Sequence, residues 1–140
     1  ELEATSLRQD TSSGESHLTN PRLKLETPPG TLWSIKSQIG TVSTRGSNQD
    51  GISEQLIELS GKVLISRRTA EDQLVEIRSD NFILLPKRQY GETLSSVTVN
   101  FGNNVTTAGK LSIDLRLGEM KLGSSSTQYV ETKISELKDW

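Results

Sequence analysis

The stretch "SEQLIELSGKVLISRR" (residues 53–68) decides the fold class of this chain. Apolar and polar residues alternate on both sides of a central Ser-Gly pair, and alternation places every second side chain on one face of a β-strand. Four apolar residues share that face: Ile57, Leu59, Val63 and Ile65. A Ser-Gly pair between two such runs is typical of a tight turn. The stretch therefore predicts strands over residues 55–60 and 62–67, joined by a turn.

The same strand–turn–strand pattern recurs along the chain, as in "VEIRSDNFILL" (75–85) and "IDLRLGEMKL" (113–122). Helix signals are nearly missing. Further strands are predicted over residues 22–27, 32–37, 39–44, 73–79, 82–86, 95–101, 110–117, 119–123 and 127–131. Short strands at near-regular spacing indicate an all-β antiparallel sandwich, roll or barrel. Stacking such units buries an apolar strip that no single unit can bury alone.

Composition excludes several classes of function. The 16 Lys and Arg residues against 18 Asp and Glu give no basic excess of the kind that nucleic-acid binders carry. The chain has no cysteine, which excludes disulfides and thiolate metal sites. No stretch reaches the roughly 20 apolar residues that a membrane-spanning helix needs. The chain begins at Glu1, without Met, in a structured pattern, so we expect a fragment whose natural N-terminus, with any signal or anchor, has been removed.

Residues that carry chemistry are few and isolated. His17 falls in a predicted loop near Glu15, without partners at the spacing of a catalytic dyad or a metal site. Asn48 and Asp50 offer oxygen ligands in the exposed segment 45–54, but the alternating carboxylates of a calcium loop are missing. We therefore expect no enzyme activity, no metal and no cofactor.

Two basic pairs, Arg67-Arg68 and Lys87-Arg88, stand at predicted strand ends. Charged strand ends are common where a sheet edge meets solvent, and this interpretation is favoured. The alternative is that the pairs meet phosphate groups at the rim of an apolar cleft.

The strongest signal is the apolar face that alternation builds across the strands. Its inward candidates include Val75, Leu115, Met120 and Leu122 beside the residues of the opening stretch. Sequence alone favours a dry core. Ligand clefts are also mostly apolar, however, so the same residues serve either role.

Six motifs, in this order and spacing, resemble the LptC family of lipopolysaccharide export proteins from about residue 15 to residue 130. They are "LTNPRLKL" (18–25), "LWSIKS" (32–37), "IELSGKVLISRR" (57–68), "IRSDNFILLP" (77–86), "VTVNFGNNVTTAG" (97–109) and "LGEMKL" (117–122). The resemblance implies a twisted, open antiparallel β-jellyroll of the OstA type, spanning residues 1–132. Residues 133–140 form a tail without a family motif.

The resemblance also implies a non-enzymatic role in lipopolysaccharide transport. The acyl chains would lie inside the roll, against Leu18, Leu23, Leu25, Trp33, Ile35, Ile57, Leu59, Val63, Ile65, Ile77, Phe82, Leu84, Val97, Val99, Leu111 and Ile113. The implied location is the periplasm of a Gram-negative bacterium, anchored to the inner membrane by an N-terminal helix that is not in this chain. The alternatives are an LptA-like soluble bridge protein and a structural β-roll with a dry core.

The implied partners, besides lipopolysaccharide, are the periplasmic domains of the LptF and LptG transporter subunits and LptA, which joins by edge-strand addition. Gly102 matches a glycine at which a bulky side chain would disturb docking to the transporter. Met120 and Leu122 are expected at a partner interface. Tyr129 lies on the final predicted strand, the edge offered to LptA.

Overall fold

The computed structural model describes residues 2–10, 12–27, 31–45, 54–69, 71–123 and 130–133. The strands are β1 (Leu2–Glu3), β2 (Ser6–Asp10), β3 (Glu15–Thr19), β4 (Arg22–Thr27), β5 (Thr31–Lys36), β6 (Ile39–Arg45), β7 (Glu54–Arg68), β8 (Leu74–Leu85), β9 (Tyr90–Thr93), β10 (Val97–Phe101), β11 (Asn104–Ala108), β12 (Lys110–Asp114), β13 (Glu119–Gly123) and β14 (Val130–Lys133). One turn of 3-10 helix, Pro86–Arg88, separates β8 from β9. The all-β prediction is confirmed.

The strands form one antiparallel sheet of 14 strands that does not close on itself within the described residues. The sheet is bent into two half-sheets. The first half-sheet runs in the order β1-β4-β5-β7-β8-β10-β11. The second half-sheet runs in the order β2-β3-β6-β7-β8-β9-β12-β13-β14. The architecture is the open β-jellyroll that the family resemblance implied.

The two long strands belong to both half-sheets. The N-terminal part of β7 pairs with β6, and its C-terminal part, from residue 64 onward, pairs with β5. Strand β8 divides in the same way: its first residues pair with β10 and its last residues with β9. The interior of the molecule lies between the half-sheets, which these two strands hold together.

The opening stretch is therefore one strand of 15 residues, and the predicted Ser-Gly turn is wrong. The pairing of β7 with β8 shifts register between Ser60 and Val63. Gly61 and Lys62 have positive φ angles of 79° and 50° there, so the two residues form a bulge. A bulge bends a strand and increases its twist, which turns β7 from one half-sheet into the other. The predicted turn at Asp80-Asn81 is also wrong, because both residues lie inside β8.

A line of contacts, called the seam below, marks where the chain passes between the half-sheets. The backbone N–H of Asn20 donates to the carbonyl of Gln38 at 2.8 Å, and the N–H of Gln38 donates to the carbonyl of Gly61, also at 2.8 Å. Further along, the Ser79 hydroxyl donates to the carbonyl of Ser96 at 3.1 Å. The seam is thus hydrogen-bonded from the early strands to the connection between β9 and β10.

Three strands near the N-terminus, β1, β2 and β3, were not predicted, and His17 lies on β3 rather than in a loop. Strand β11 was also missed. Strand β12 ends at Asp114, before the predicted limit of residue 117. Only Val130–Lys133 is described of the final strand, and residues 134–140 lie outside the described part of the chain.

Gly61→Ala is expected to destabilise the domain by about 2 kcal/mol, because a left-handed conformation costs an L-residue roughly 1–2 kcal/mol. The added Cβ would also lie 2.5 Å from Oε1 of Gln38. Lys62→Gly is the matched control at the neighbouring bulge position, and a change below about 1 kcal/mol is expected there. Urea unfolding measures both. Equal effects of the two substitutions would contradict the role given to the bulge.

Candidate functional site

The interior between the half-sheets is one continuous apolar cluster. Of the residues predicted to face acyl chains, all except Leu18 and Leu25 belong to it: Leu23, Trp33, Ile35, Ile57, Leu59, Val63, Ile65, Ile77, Phe82, Leu84, Val97, Val99, Leu111 and Ile113. Leu18 is buried outside the cluster, and Leu25 is partly buried against it. The cluster also contains Val75, Phe101 and Leu115, so both half-sheets contribute to it.

The side of the interior opposite the seam is called the mouth. No strand ladder joins the two half-sheets there in the described residues. The indole Nε1 of Trp33, on β5, donates a hydrogen bond of 3.1 Å to the carbonyl oxygen of Leu115, just after β12. The Leu115 N–H in turn donates to the carbonyl of Gln89 at 2.8 Å. This buried bond therefore fastens β5 of the first half-sheet to the second.

Arg67 lies beside Trp33 at the mouth. It continues the inward series of Val63 and Ile65 on β7, and its guanidinium carbon stands 5.2 Å from the centre of the Trp33 ring. Its Nε is buried and has no hydrogen-bond partner among the described residues. Burial lowers the pKa of Arg67, because desolvation disfavours the charged form.

The sequence interpretation favoured a solvent-exposed strand end for the Arg67-Arg68 pair. The structure gives the two residues different environments: Arg67 is partly buried and Arg68 is exposed. The alternation that identified Val63 and Ile65 extends to Arg67, and it is the signal that could have found this inward cation.

Gly91, on β9, lies directly against the ring of Phe82. A Cβ at this position would clash with ring atoms Cε1 and Cζ of Phe82. The missing side chain is what lets the aromatic ring, which is almost fully buried, lie against β9 in the second half-sheet. The interior is thus tightly packed in this conformation.

The residues expected at partner interfaces occupy three different environments. Gly102 is exposed in the turn between β10 and β11, with a φ of 58° and no atom within 4 Å of an added Cβ. Met120 and Leu122 are buried in the core, because their side chains face inward from β13, so neither is available for direct contact in this conformation. Tyr129 lies outside the described residues.

The remaining chemistry-bearing residues do not assemble into a site in the described part of the chain. His17 Nε2 lies 3.8 Å from Glu15 Oε2. The ranges that the structure describes hold no group of three or more His, Cys, Asp or Glu residues that could bind a metal ion. Asn48 and Asp50 fall outside those ranges. Within them, no helix is long and apolar enough to cross a membrane.

Sequence reasoning missed a cluster of basic residues on the outer face of the first half-sheet. A cleft of about 520 Å³ is lined by Lys36, Lys62 and Arg78 together with Asp80. Arg78 is also paired with Glu76 at 3.0 Å. Lys36, Lys62 and Arg78 come from three different strands and are exposed, and the cleft lining also reaches Val63 of the apolar cluster.

The fold defines the class of the protein as an open antiparallel β-jellyroll with an apolar interior. Comparison with family models identifies the family: the model described as "Lipopolysaccharide-assembly, LptC-related" matches residues 1–131. The chain belongs to the LptC family. Comparison with curated proteins gave no significant match. The family has a role in lipopolysaccharide transport and is not known as an enzyme family.

Trp33→Phe is expected to loosen the mouth, because it leaves the buried Leu115 carbonyl without its donor. An unsatisfied buried polar group costs about 1–3 kcal/mol, and the smaller ring adds a packing loss. Hydrogen exchange at the Leu115 amide should accelerate by more than the loss in the global free energy of unfolding accounts for.

Tyr90→Phe is the matched control, because it also removes one aromatic donor, the hydroxyl that bonds Glu92 Oε2 at 3.0 Å. It should leave exchange at Leu115 close to that of the wild type. Unchanged exchange at Leu115 in Trp33→Phe would show that the indole bond does not hold the mouth.

Proposed function

We propose that the domain holds the acyl chains of lipopolysaccharide between its two half-sheets and passes the lipid along a periplasmic bridge without altering it. The observation that carries this proposal is the continuous apolar interior, which both half-sheets line. Among the described residues, it is fastened at the mouth by contacts of the Trp33 side chain and not by a strand ladder. Membership of the LptC family supports the choice of lipopolysaccharide as the cargo.

The energetics favour exchange of a closed core for a lipid-filled one. Breaking the Trp33–Leu115 hydrogen bond costs on the order of 1 kcal/mol net. Each acyl methylene that leaves water contributes about 0.8 kcal/mol. Two or three methylenes therefore offset the loss of this bond. Acyl carbons also replace the contacts that the separating side chains lose, so the opened interior stays apolar on both sides.

A carrier must also release its cargo. Packing of the interior side chains against one another competes with their packing against the acyl chains. The side chains of Ile65, Phe82 and Ile113 belong to one apolar cluster, so they pack within it again when the lipid departs. The affinity for a passing lipid is then the difference between two apolar packings rather than the full burial energy. Directional movement takes its energy from the ATPase of the transporter.

The free strand edges define two ends of the roll. Within the described residues, strands β1 and β2 are the edges at one end, and β11 and β14 are the edges at the other. We propose that the first end meets the periplasmic domains of LptF and LptG. LptA then adds its strand at the second end, where the open edge of β14 offers backbone hydrogen-bonding groups. The domain would stand in the periplasm, tethered to the inner membrane.

Gly102 belongs to the turn that precedes β11, at the second end. This position fits a surface that meets LptA better than one that meets the transporter, which was the expectation from the family resemblance. Its open surroundings leave room for a partner to approach the backbone closely.

Photo-crosslinking in cells tests the proposal. A photoreactive residue at Ile65 or Phe82, both about 1% exposed, should form adducts with lipopolysaccharide. The matched controls are Lys62 and Glu58, which lie on β7 but face solvent and should give few adducts. Equal labelling at outward positions, or none at inward positions, would contradict the conduit and favour a structural β-roll with a dry core.

A further inference from the structure

Arg67 is the charged exception on an apolar face. In the register of the first half-sheet, Arg67 lies in one row with Val75 on β8 and Phe101 on β10, both buried. Over the strand positions described there, the side chains that share this inward face are otherwise apolar or uncharged. An arginine at such a position loses hydration, which is unfavourable unless a partner replaces the water.

The exposed arginines of the two basic pairs, Arg68 and Arg88, have carboxylate partners. Arg68 lies 3.6 Å from Asp72, and Arg88 lies 2.6 Å from Glu54. Arg67 has no carboxylate within salt-bridge distance in the described part of the chain, and its buried Nε lacks an acceptor there. Its observed contact is the face of Trp33.

Stacking leaves the hydrogen-bonding capacity of a guanidinium unused. The guanidinium carbon stands over the Trp33 ring, which offers no oxygen or nitrogen acceptor to the N–H donors in the plane of the guanidinium. A planar fork of this kind matches two oxygens of a phosphate or carboxylate. Arg67 is therefore held in place by the indole while its donors stay available to an anion.

We propose that Arg67 binds a phosphate group of an amphiphile whose acyl chains lie between the half-sheets. This inference rests on the proposed function. It adds the position of the lipid along the interior: the charged group lies beside Trp33 and Arg67, and the acyl chains extend inward past Ile65. The same row carries the Trp33–Leu115 bond, so the anion is bound where the mouth opens.

The test compares the wild-type domain with Arg67→Gln and with the matched control Arg68→Gln, which removes an exposed arginine on the same strand. The probes are lipopolysaccharide, the same lipid after chemical removal of its phosphates, and inorganic phosphate alone. Arg67→Gln should bind intact lipopolysaccharide about tenfold more weakly, the loss expected for one charge-assisted contact. It should bind the dephosphorylated lipid like the wild type, and Arg68→Gln should change neither affinity by more than about twofold.

Arg67→Met provides a second variant, because its unbranched side chain fills similar space against Trp33 without a charge. It should remain folded, by circular dichroism, and lose the preference for the phosphorylated lipid. Inorganic phosphate alone should not protect Arg67 from modification by phenylglyoxal, whereas intact lipopolysaccharide should.

Several results would overturn the inference. If Arg67→Gln weakens both lipids equally, the residue supports packing and does not recognise an anion. If the wild type binds both lipids and Arg67→Gln binds them equally well, the inference is wrong and the proposed function stands. Protection by inorganic phosphate alone would show a free-anion site instead. Failure of the wild-type domain to bind either lipid would contradict the proposed function itself.

Discussion

The bulge at Gly61 and Lys62 is the constraint on which the rest of the structure depends. Without it, β7 would run on as a straight strand and would face only one side of the molecule. The register shift lets this one strand pair with β6 in the second half-sheet and with β5 in the first. The seam and the apolar interior follow from that geometry, because both half-sheets are fixed to the same two strands.

The same constraint creates an asymmetry between the two sides of the interior. The seam is held by backbone hydrogen bonds and by continuous chain, and separating the half-sheets there would break the two long strands. At the mouth, the described contacts are the Trp33–Leu115 bond and the stacking of Arg67 on Trp33. The proposed opening would therefore occur at the mouth, with the seam as its hinge. Such a movement would admit a lipid while the fold stays intact.

The sequence predicted the class of fold and most of the interior because both depend on alternation. Alternation survives a misplaced turn: Ile57 and Val63 face inward whether residues 60–62 form a hairpin or a bulge. The continuity of β7 could not be predicted, since a Ser-Gly pair is compatible with either, and the choice depends on pairing with distant strands. Alternation also placed Met120 and Leu122 on the inward face of β13, where the structure buries them; the partner role that the resemblance gave them stays a prediction.

Arg67 shows a second limit. Local composition assigns two adjacent arginines at a strand end to solvent, yet their side chains point to opposite faces. One of those faces is buried only because the second half-sheet packs against it, where Trp33, beside Arg67, bonds the Leu115 carbonyl. The N-terminal strands were missed because their apolar residues are few: Leu7, for example, is 66% exposed at the sheet edge.

Opening of the mouth on lipid binding is the central claim, and a distance measured across the mouth tests it most directly. The chain has no cysteine, so spin labels attach only at introduced ones. Leu32 on β5 and Leu117 after β12 are 51% and 56% exposed and lie on opposite half-sheets. Lipopolysaccharide should lengthen the Leu32–Leu117 distance and leave the Leu32–Leu74 distance, within the first half-sheet, unchanged. Bound lipopolysaccharide with no change across the mouth would contradict the account.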